Sequence, residues 1–164
     1  IGSLYARKMH ALGFRVVAFD PDRNRSRSIG TAIEMVTFGE LLGQSDVISI
    51  HCPLSSNTRN LFDDAVLRRM KSGAYIVNTA RGGLIDEDTF ANALREQRLG
   101  GAGLDTLAIE PMRMESPLRG LERCILTPHM AWYSEDAAFE LKRKVAEEAV
   151  RFFRGEALHW IAST

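Results

Sequence analysis

Apolar and polar positions along the chain follow two patterns, one typical of helices and one typical of buried strands. Leu4, Met9 and Leu12 fall on one helical face, and Gly13 follows where a glycine commonly ends a helix. Between the helical stretches lie short apolar runs rich in β-branched residues, which are typical of buried parallel strands. The predicted strands are 14–19, 46–54, 74–80, 101–105 and 124–129. The predicted helices are 4–12, 37–42, 65–70, 86–97 and 134–155.

The alternation of strands and helices predicts an α/β fold, with a Rossmann-like doubly wound parallel sheet built from βαβ units. Such sheets bind their ligands outside the carboxyl ends of the strands. We therefore expect function at Asp20, at the turns 51–54 and 79–84, at Asp105 and at His129, because each of these follows a predicted strand.

The composition excludes several classes of function. With 164 residues, the chain is long enough for one domain with its own core. Its 21 basic residues equal its 21 acidic ones, so no bulk charge recruits nucleic acid or an anionic membrane. Cys52 and Cys124 lie far apart without a CxxC pattern, so neither a disulfide framework nor a metal site is predicted. No apolar run approaches the ~18 residues of a membrane span, and we expect a cytoplasmic enzyme domain.

Asp20 ends the first predicted strand, 18 residues after Gly2, which opens the first helix. A carboxylate at that place accepts hydrogen bonds from a ribose of a bound dinucleotide and disfavours a 2′-phosphate, so it favours NAD over NADP. Two alternatives stay open from the residues alone. An Asp before a Pro also commonly initiates a turn. The basic residues that follow could form a solvated loop or reach a 2′-phosphate: Arg23, Arg25 and Arg27.

The segment NTARGGLID, residues 78–86, displays one guanidinium at the predicted carboxyl edge of the sheet. Thr79 and Ala80 are small enough to let the backbone approach a ligand, and the two glycines after Arg81 shape a tight turn. An arginine binds a carboxylate through two parallel hydrogen bonds. The alternative is a surface salt bridge for Arg81, but the glycine pair favours the carboxylate-binding role.

Glu110 and His129 both lie in segments that follow strand ends. A lone histidine is more often a structural residue than a catalytic one. A histidine paired with a carboxylate has its tautomer fixed and its imidazolium form stabilised, which suits a general acid. The two residues are therefore candidates for an acid/base pair.

Four segments together resemble the D-isomer-specific 2-hydroxyacid dehydrogenase family: NTARGGLIDE, GAGLDTLAIEP, SPL and TPHMAW, in this order and at these separations. The resemblance covers nearly the whole chain. It implies an oxidoreductase that transfers a hydride between NAD(H) and a small 2-keto or 2-hydroxy acid. By the same resemblance, Arg81 would bind the substrate's carboxylate, His129 would be the acid/base and Glu110 would be its partner.

The resemblance also implies further site residues. Asp20 would hold the adenosine ribose and Asp105 the nicotinamide carboxamide, and Gly2 matches the last glycine of a GxGxxG turn. The residues implied to bind NAD are Gly2, Asp20, Cys52, Pro53, Thr79, Ala80, Arg81, Asp105 and His129. The phrase HMAWYSE resembles the subgroup that contains the C-terminal-binding-protein corepressors, in which Trp132 would wall the substrate pocket. This likeness leaves an NAD-sensing, corepressor-like interaction protein as the alternative function.

The family pattern leads us to expect that 1–164 is an NAD-binding domain without its first strand, the first two glycines of its turn and most of a substrate domain. The chain alone is then not expected to form a working NAD site. The helix and tail at 134–164 are expected to pack toward the substrate domain. The resemblance also implies a homodimer, for which the 86–123 region offers apolar loop residues without an evident role inside the domain: Leu107, Ile109, Met112, Met114 and Leu118. The alternative is that these side chains pack under their own loop.

Overall fold

The computed structural model describes residues 1–22 and 33–159. The expectations for Arg23, Arg25 and Arg27 lie outside the described residues. The chain divides into two compact units, Ile1–His129 and a second unit that begins at Met130. No helix in the described part of the chain is long and apolar enough to cross a lipid bilayer.

The first unit alternates strands with helices, as the sequence predicts. Its strands are β1 (Val17–Ala18), β2 (Glu34–Met35), β3 (Val47–Ile50), β4 (Ala74–Asn78), β5 (Leu99–Leu104) and β6 (Cys124–Leu126). Its helices are α1 (Gly2–Ala11), α2 (Phe38–Gln44), α3 (Asp64–Arg69) and α4 (Glu87–Arg95), and a 3-10 turn spans Gly82–Leu84. The second unit contains α5 (Glu135–Phe153), which Ser134 caps by accepting a hydrogen bond from the backbone N–H of Ala137.

All strand pairs are parallel, which confirms the predicted α/β class. One sheet has the order β3-β4-β5-β6, and a second sheet pairs β1 with β2. Within the described residues β1 and β3 belong to different sheets and are not paired. In the larger sheet Asn78 pairs with Leu104, and Leu104 pairs with Leu126. The segments that leave β4, β5 and β6 therefore emerge side by side at one edge.

The core lies on one face of the larger sheet, under α2, α3 and α4. Ile48, Ile76 and Leu104 point from the strands into this core, and Leu67 and Phe90 fill it from the helices. Burial of this apolar surface is the main stabilising term of such a layer. On the opposite face the side chains of the outer strands are exposed to solvent.

Local capping chemistry sets where two of these helices begin. The Thr37 hydroxyl accepts a hydrogen bond from the Glu40 N–H, and the Glu40 carboxylate accepts one from the Thr37 N–H at 2.8 Å. This is the predicted capping box, and it is confirmed. Asp86 caps α4 in the same way, because its carboxylate accepts a hydrogen bond from the Thr89 N–H.

Several sequence expectations need correction. The stretch 46–54 was predicted as a strand that runs into a Pro-containing loop, and the strand part is β3, which ends at Ile50. Strand β5 begins at Leu99, earlier than predicted, because Leu99 pairs with Ala74. The expectation that Leu118 has no role inside the domain is wrong, because its side chain is fully buried in the core. Leu107 is also half-buried against that core.

Candidate active site

Glu110 and His129, predicted as a pair, lie in contact. The Nδ1 atom of His129 lies 2.7 Å from Oε2 of Glu110. The other carboxylate oxygen of Glu110 accepts a hydrogen bond from the Leu107 N–H at 2.8 Å. The hydrogen bond with His129, followed by that from the Leu107 N–H, holds the pKa of the Glu110 carboxyl below its usual range. Glu110 is therefore an anion at neutral pH, aimed at the imidazole.

His129 is held in an unusual backbone conformation. Its φ of 53° lies in the left-handed region, and its N–H donates to the carbonyl oxygen of Thr127 at 3.0 Å. A side chain in that region costs about 1–3 kcal/mol, and such residues cluster at functional sites. The turn presents the ring at the carboxyl end of β6, and the bond from Nδ1 to Glu110 fixes its orientation.

Arg81 is positioned by Asn78, a residue that the sequence reasoning missed. The Asn78 side chain is fully buried at the end of β4. Its amide donates to the carbonyl oxygen of Arg81 at 2.9 Å, and its amide oxygen accepts from the Ala80 N–H at 3.0 Å. These two bonds fold residues 78–81 into the predicted turn. The Arg81 guanidinium is exposed and donates to the carbonyl oxygen of Ala80 at 2.7 Å.

Two contacts place the Arg81 turn against the loop that carries Glu110. A Cβ placed on Gly82 would lie 1.8 Å from the carbonyl carbon of Leu107, so only a glycine fits there. Glu87, at the start of α4, accepts a hydrogen bond from the Ala108 N–H at 2.7 Å. The loop after β5 is thus held by close packing on Gly82 and by a hydrogen bond to the Glu87 side chain.

These elements enclose one cleft of about 360 Å³. It is lined by Leu54, Arg59, Arg81, Gly82, Gly83, Leu107, Ala108, Glu110 and His129. The cleft combines two guanidinium groups, a carboxylate–imidazole pair and apolar walls. Such a site can bind a small organic anion and exchange a proton with it.

The residues predicted on the adenosine side lie at the start of α1 and just beyond the ends of β1 and β3. A Cβ placed on Gly2 would lie 3.1 Å from Cβ of His51, so the first turn of α1 lies beside the end of β3. Burial raises the pKa of the Cys52 thiol, and the negative charge of Asp20 raises it further. A helix start next to a carboxylate at a strand end fits the pyrophosphate and the ribose of a dinucleotide.

Asp20 also has the turn-initiating role left open from the sequence. Its Oδ1 accepts a hydrogen bond from the Asp22 N–H at 2.9 Å. A carboxylate has acceptor sites on both oxygens, so this bond is compatible with ribose binding. Pro53 lies in an adjoining turn, in which its carbonyl oxygen accepts a hydrogen bond from the Thr58 hydroxyl at 2.7 Å.

Asp105 is a buried carboxylate at the end of β5, with 5% of its surface exposed. Its Oδ1 accepts a hydrogen bond from the Thr127 hydroxyl at 2.5 Å, and its N–H donates to the carbonyl oxygen of Asn78. Asp105 is therefore fixed between the ends of β4 and β6, at the edge where the nicotinamide was expected. Thr79 directly follows β4 at the same edge, and its role in binding NAD stays a prediction.

Trp132 belongs to the second compact unit, where its ring packs edge-to-face against Tyr133 with a centroid distance of 5.5 Å. Its role at the substrate pocket stays a prediction.

Comparisons with known proteins identify the family of the chain. The family model for the D-isomer specific 2-hydroxyacid dehydrogenase NAD binding domain matches residues 1–131. A glyoxylate reductase from Korarchaeum cryptofilum is 36% identical over 156 residues, which is 95% of this chain and 47% of the relative. A D-3-phosphoglycerate dehydrogenase from Mycobacterium leprae is 38% identical over 156 residues, which is 95% of this chain and 29% of the relative.

Among solved structures, a D-lactate dehydrogenase from Treponema pallidum superposes with a TM-score of 0.91 and 32% identity. The match covers 100% of this chain and 53% of that protein. The chain therefore spans about half the length, or less, of the relatives it matches. Because the family model covers most of the chain, the chain belongs to the D-isomer-specific 2-hydroxyacid dehydrogenase family as its NAD-binding domain, with NAD as cofactor.

Proposed function

We propose that the protein containing this domain reduces small 2-keto acids to D-2-hydroxy acids with NADH, and catalyses the reverse reaction with NAD. The observation that carries the proposal is that Arg81, Glu110 and His129 line one cleft at the carboxyl edge of the sheet. The names of the relatives, a glyoxylate reductase and a D-lactate dehydrogenase among them, agree with this reaction class.

In the proposed reaction the protein orients the substrate and moves the proton. Bound nicotinamide supplies or accepts the hydride at the carbonyl carbon. Arg81 binds the substrate's carboxylate through two hydrogen bonds, which fixes the face that the carbonyl presents. His129, with Nδ1 held by Glu110, donates a proton from Nε2 to the carbonyl oxygen and takes it back in the reverse direction. Glu110 is a positioning residue, because it keeps this tautomer and this ring orientation.

The proposal includes a preference for NADH over NADPH. It is supported by Asp20, which lies two residues after the end of β1. Its carboxylate would face a 2′-phosphate with like charge. The measurement is kcat/KM for the two cofactors with one keto acid. A higher value for NADPH would mean that the basic residues after Asp20 outweigh it.

We further propose that the protein acts as a homodimer in the cytoplasm. Cys52 and Cys124 are both free thiols, which agrees with a reducing compartment. Ile109 and Met114 are exposed apolar side chains in the loop before β6, which supports a contact with a second copy.

A corepressor-like NAD sensor remains the second candidate, supported by the phrase HMAWYSE and by Trp132. The intact acid/base pair beside Arg81 favours the enzyme. The two functions differ in one respect that can be measured, because a sensor binds NADH without consuming it in the presence of a keto acid.

The deciding experiment supplies the full-length protein with NADH and a panel of 2-keto acids that includes pyruvate and glyoxylate. We expect NADH oxidation with both acids and, for pyruvate, lactate of D configuration by chiral chromatography, since the product of glyoxylate is achiral. Arg81→Gln is expected to lower kcat/KM about 10- to 100-fold, the scale of a lost charge-assisted bond. Arg123→Gln, at an exposed arginine outside the cleft, serves as the matched control. NADH binding without turnover of any keto acid would contradict the enzyme and favour the sensor.

A further inference from the structure

Arg59 lines the same cleft as Arg81, Glu110 and His129, although the sequence reasoning did not single it out. Its segment is fixed to the turn that follows Arg81. The Asn60 N–H donates to the carbonyl oxygen of Gly83 at 2.9 Å, and the Phe62 N–H donates to that of Leu84 at 3.0 Å. The arginine is therefore attached through backbone bonds to the element that carries Arg81.

The Arg59 side chain lies beside Gly83, within this turn, and the Leu54 side chain packs closely over the same glycine. A Cβ placed on Gly83 would lie 3.6 Å from Nη1 of Arg59 and 3.0 Å from Cδ2 of Leu54. The guanidinium thus lies close to the backbone of the Arg81 turn. The segment before Arg59 is also an ordered turn. The Thr58 hydroxyl accepts a hydrogen bond from the Ser55 N–H and donates one to the carbonyl oxygen of Pro53.

The charges of the cleft do not balance. Its lining has two guanidinium groups, Arg59 and Arg81, and one carboxylate, Glu110, which is engaged by His129. Within the described residues, neither arginine forms an ion pair with a carboxylate. The two guanidinium groups are like charges beside one small site, so they repel each other. An anionic group of a bound ligand reduces this repulsion.

A 2-keto monocarboxylate neutralises one of these charges, and the proposed function assigns that role to Arg81. The second guanidinium then still faces the cleft without a counter-charge. A ligand with a second anionic group would supply that counter-charge. A guanidinium can bind either a carboxylate or a phosphate through two parallel hydrogen bonds.

We infer that Arg59 selects dianionic 2-keto acids, in which a second carboxylate or a phosphate binds Arg59 while the 2-keto carboxylate binds Arg81. The inference rests on the proposed function, because it names the substrate class of the same cleft. It assigns to Arg59 a role in specificity and no part in proton transfer.

The test compares acids of equal chain length in the full-length protein with NADH: 2-oxoglutarate with 2-oxopentanoate, and oxaloacetate with 2-oxobutanoate. The wild type is expected to have the higher kcat/KM for the diacid of each pair. In Arg59→Gln the ratio of diacid to monoacid is expected to fall about 10-fold or more, the scale of a lost charge-assisted bond. Arg59→Lys is expected to retain part of the ratio, and Arg123→Gln all of it. Phosphonopyruvate, in which a phosphonate replaces the second carboxylate of oxaloacetate, is compared with oxaloacetate in the same assay to separate a preference for a phosphate-like group from a preference for a carboxylate.

A second measurement separates this inference from the proposed function. Calorimetric titration with D-2-hydroxyglutarate and D-2-hydroxypentanoate, in the presence of NADH, requires no turnover. Tighter binding of the diacid by the wild type, lost in Arg59→Gln, supports the inference even if no keto acid is reduced. Equal affinity for the two acids, a ratio that Arg59→Gln leaves unchanged, or a change only in the affinity for NADH would overturn it.

Discussion

Glu110 divides its two carboxylate oxygens between the backbone of its own loop and the imidazole of His129. Each bond favours the charged form, and together they keep the pKa of Glu110 below its ordinary value. A single side chain thus joins the loop after β5 to the turn after β6. At the scale of residues, the geometry of the acid/base pair depends on this carboxylate.

The lowered pKa of Glu110 gives a pH-dependent stability. A carboxyl whose pKa is lowered in the folded state stabilises the protein at pH values above its ordinary pKa of 4.5. This stabilisation is lost as the pH falls through the lower pKa of the folded state. Glu110→Gln is therefore expected to lower the free energy of unfolding at neutral pH by up to about 1 kcal/mol, because the pair is partly exposed. At a pH well below the folded-state pKa of Glu110, Glu110→Gln and the wild type should have the same free energy of unfolding. Urea unfolding at both pH values checks this.

Glu115→Gln is the control for that series, because Glu115 lies in the same loop, is exposed and has no partner among the described residues. Its unfolding free energy should stay within about 0.5 kcal/mol of the wild type at either pH. A Glu110→Gln deficit that persists undiminished in acid would show that the carboxylate's charge is not its cause.

Single residues also show where prediction from sequence ends. Arg81, Glu110 and His129 could be predicted, because each lies in a motif at a strand end. Asn78 could not, since its role is to satisfy backbone groups of a turn whose shape the sequence does not give. Arg59 lies in a polar loop, and its approach to the cleft depends on backbone bonds to a turn distant in sequence. Contacts of this kind have no local signal.

At the scale of elements, the site depends on how closely the turn after β4 approaches the loop after β5. Gly82 is in van der Waals contact with the Leu107 peptide. The Glu87 carboxylate accepts a hydrogen bond from the N–H of Ala108, the next residue of that loop. These contacts hold the Arg81 turn against the segment that leads to Glu110. The spacing between Arg81 and Glu110 therefore depends on the packing of Gly82 and on the Glu87 bond.

Gly82→Ala tests this packing. The added Cβ overlaps backbone atoms that cannot rotate away, so the turn and the loop must separate, at a cost of about 1–3 kcal/mol in unfolding free energy. Gly43→Ala is the matched control, because Gly43 lies within α2 with no atom near the added Cβ. That change should stabilise the protein by up to about 1 kcal/mol, since alanine favours the helix. Equal effects of the two substitutions in urea unfolding would contradict the close contact.

Elements with a local signal were predicted, and those defined by distant pairing were not. The capping box of Thr37 and Glu40 is written in four consecutive residues, so the start of α2 follows from the sequence. Strand β2 has only two residues, Glu34 and Met35, too few for any alternation to appear. The start of β5 at Leu99 depends on pairing with Ala74.

At the scale of the whole molecule, the proposed homodimer rests on a smaller apolar surface than the sequence suggests. Leu118 and Leu107 serve the domain's own core, and Ile109 and Met114 are left exposed, the latter by 70%. Dimerisation through this loop therefore predicts that Met114→Glu weakens the dimer at least about 10-fold, because it buries an unpaired charge. Light scattering over a concentration series measures this.

Leu12→Glu is the control for the dimer, since Leu12 is also 70% exposed but lies at the end of α1. It should leave the dissociation constant unchanged. A monomeric wild type at micromolar concentration, or equal weakening by both substitutions, would contradict a contact through the loop before β6.

The proposed proton exchange between His129 and the substrate is tested by kcat of His129→Gln in the full-length protein at saturating NADH and keto acid. We expect kcat to fall by at least ~100-fold, the usual scale for a missing general acid, with NADH still bound. His129→Asn should show the same loss while keeping the left-handed backbone, which asparagine tolerates well. A His129→Gln protein with nearly full turnover would contradict the assignment of His129 as the acid/base.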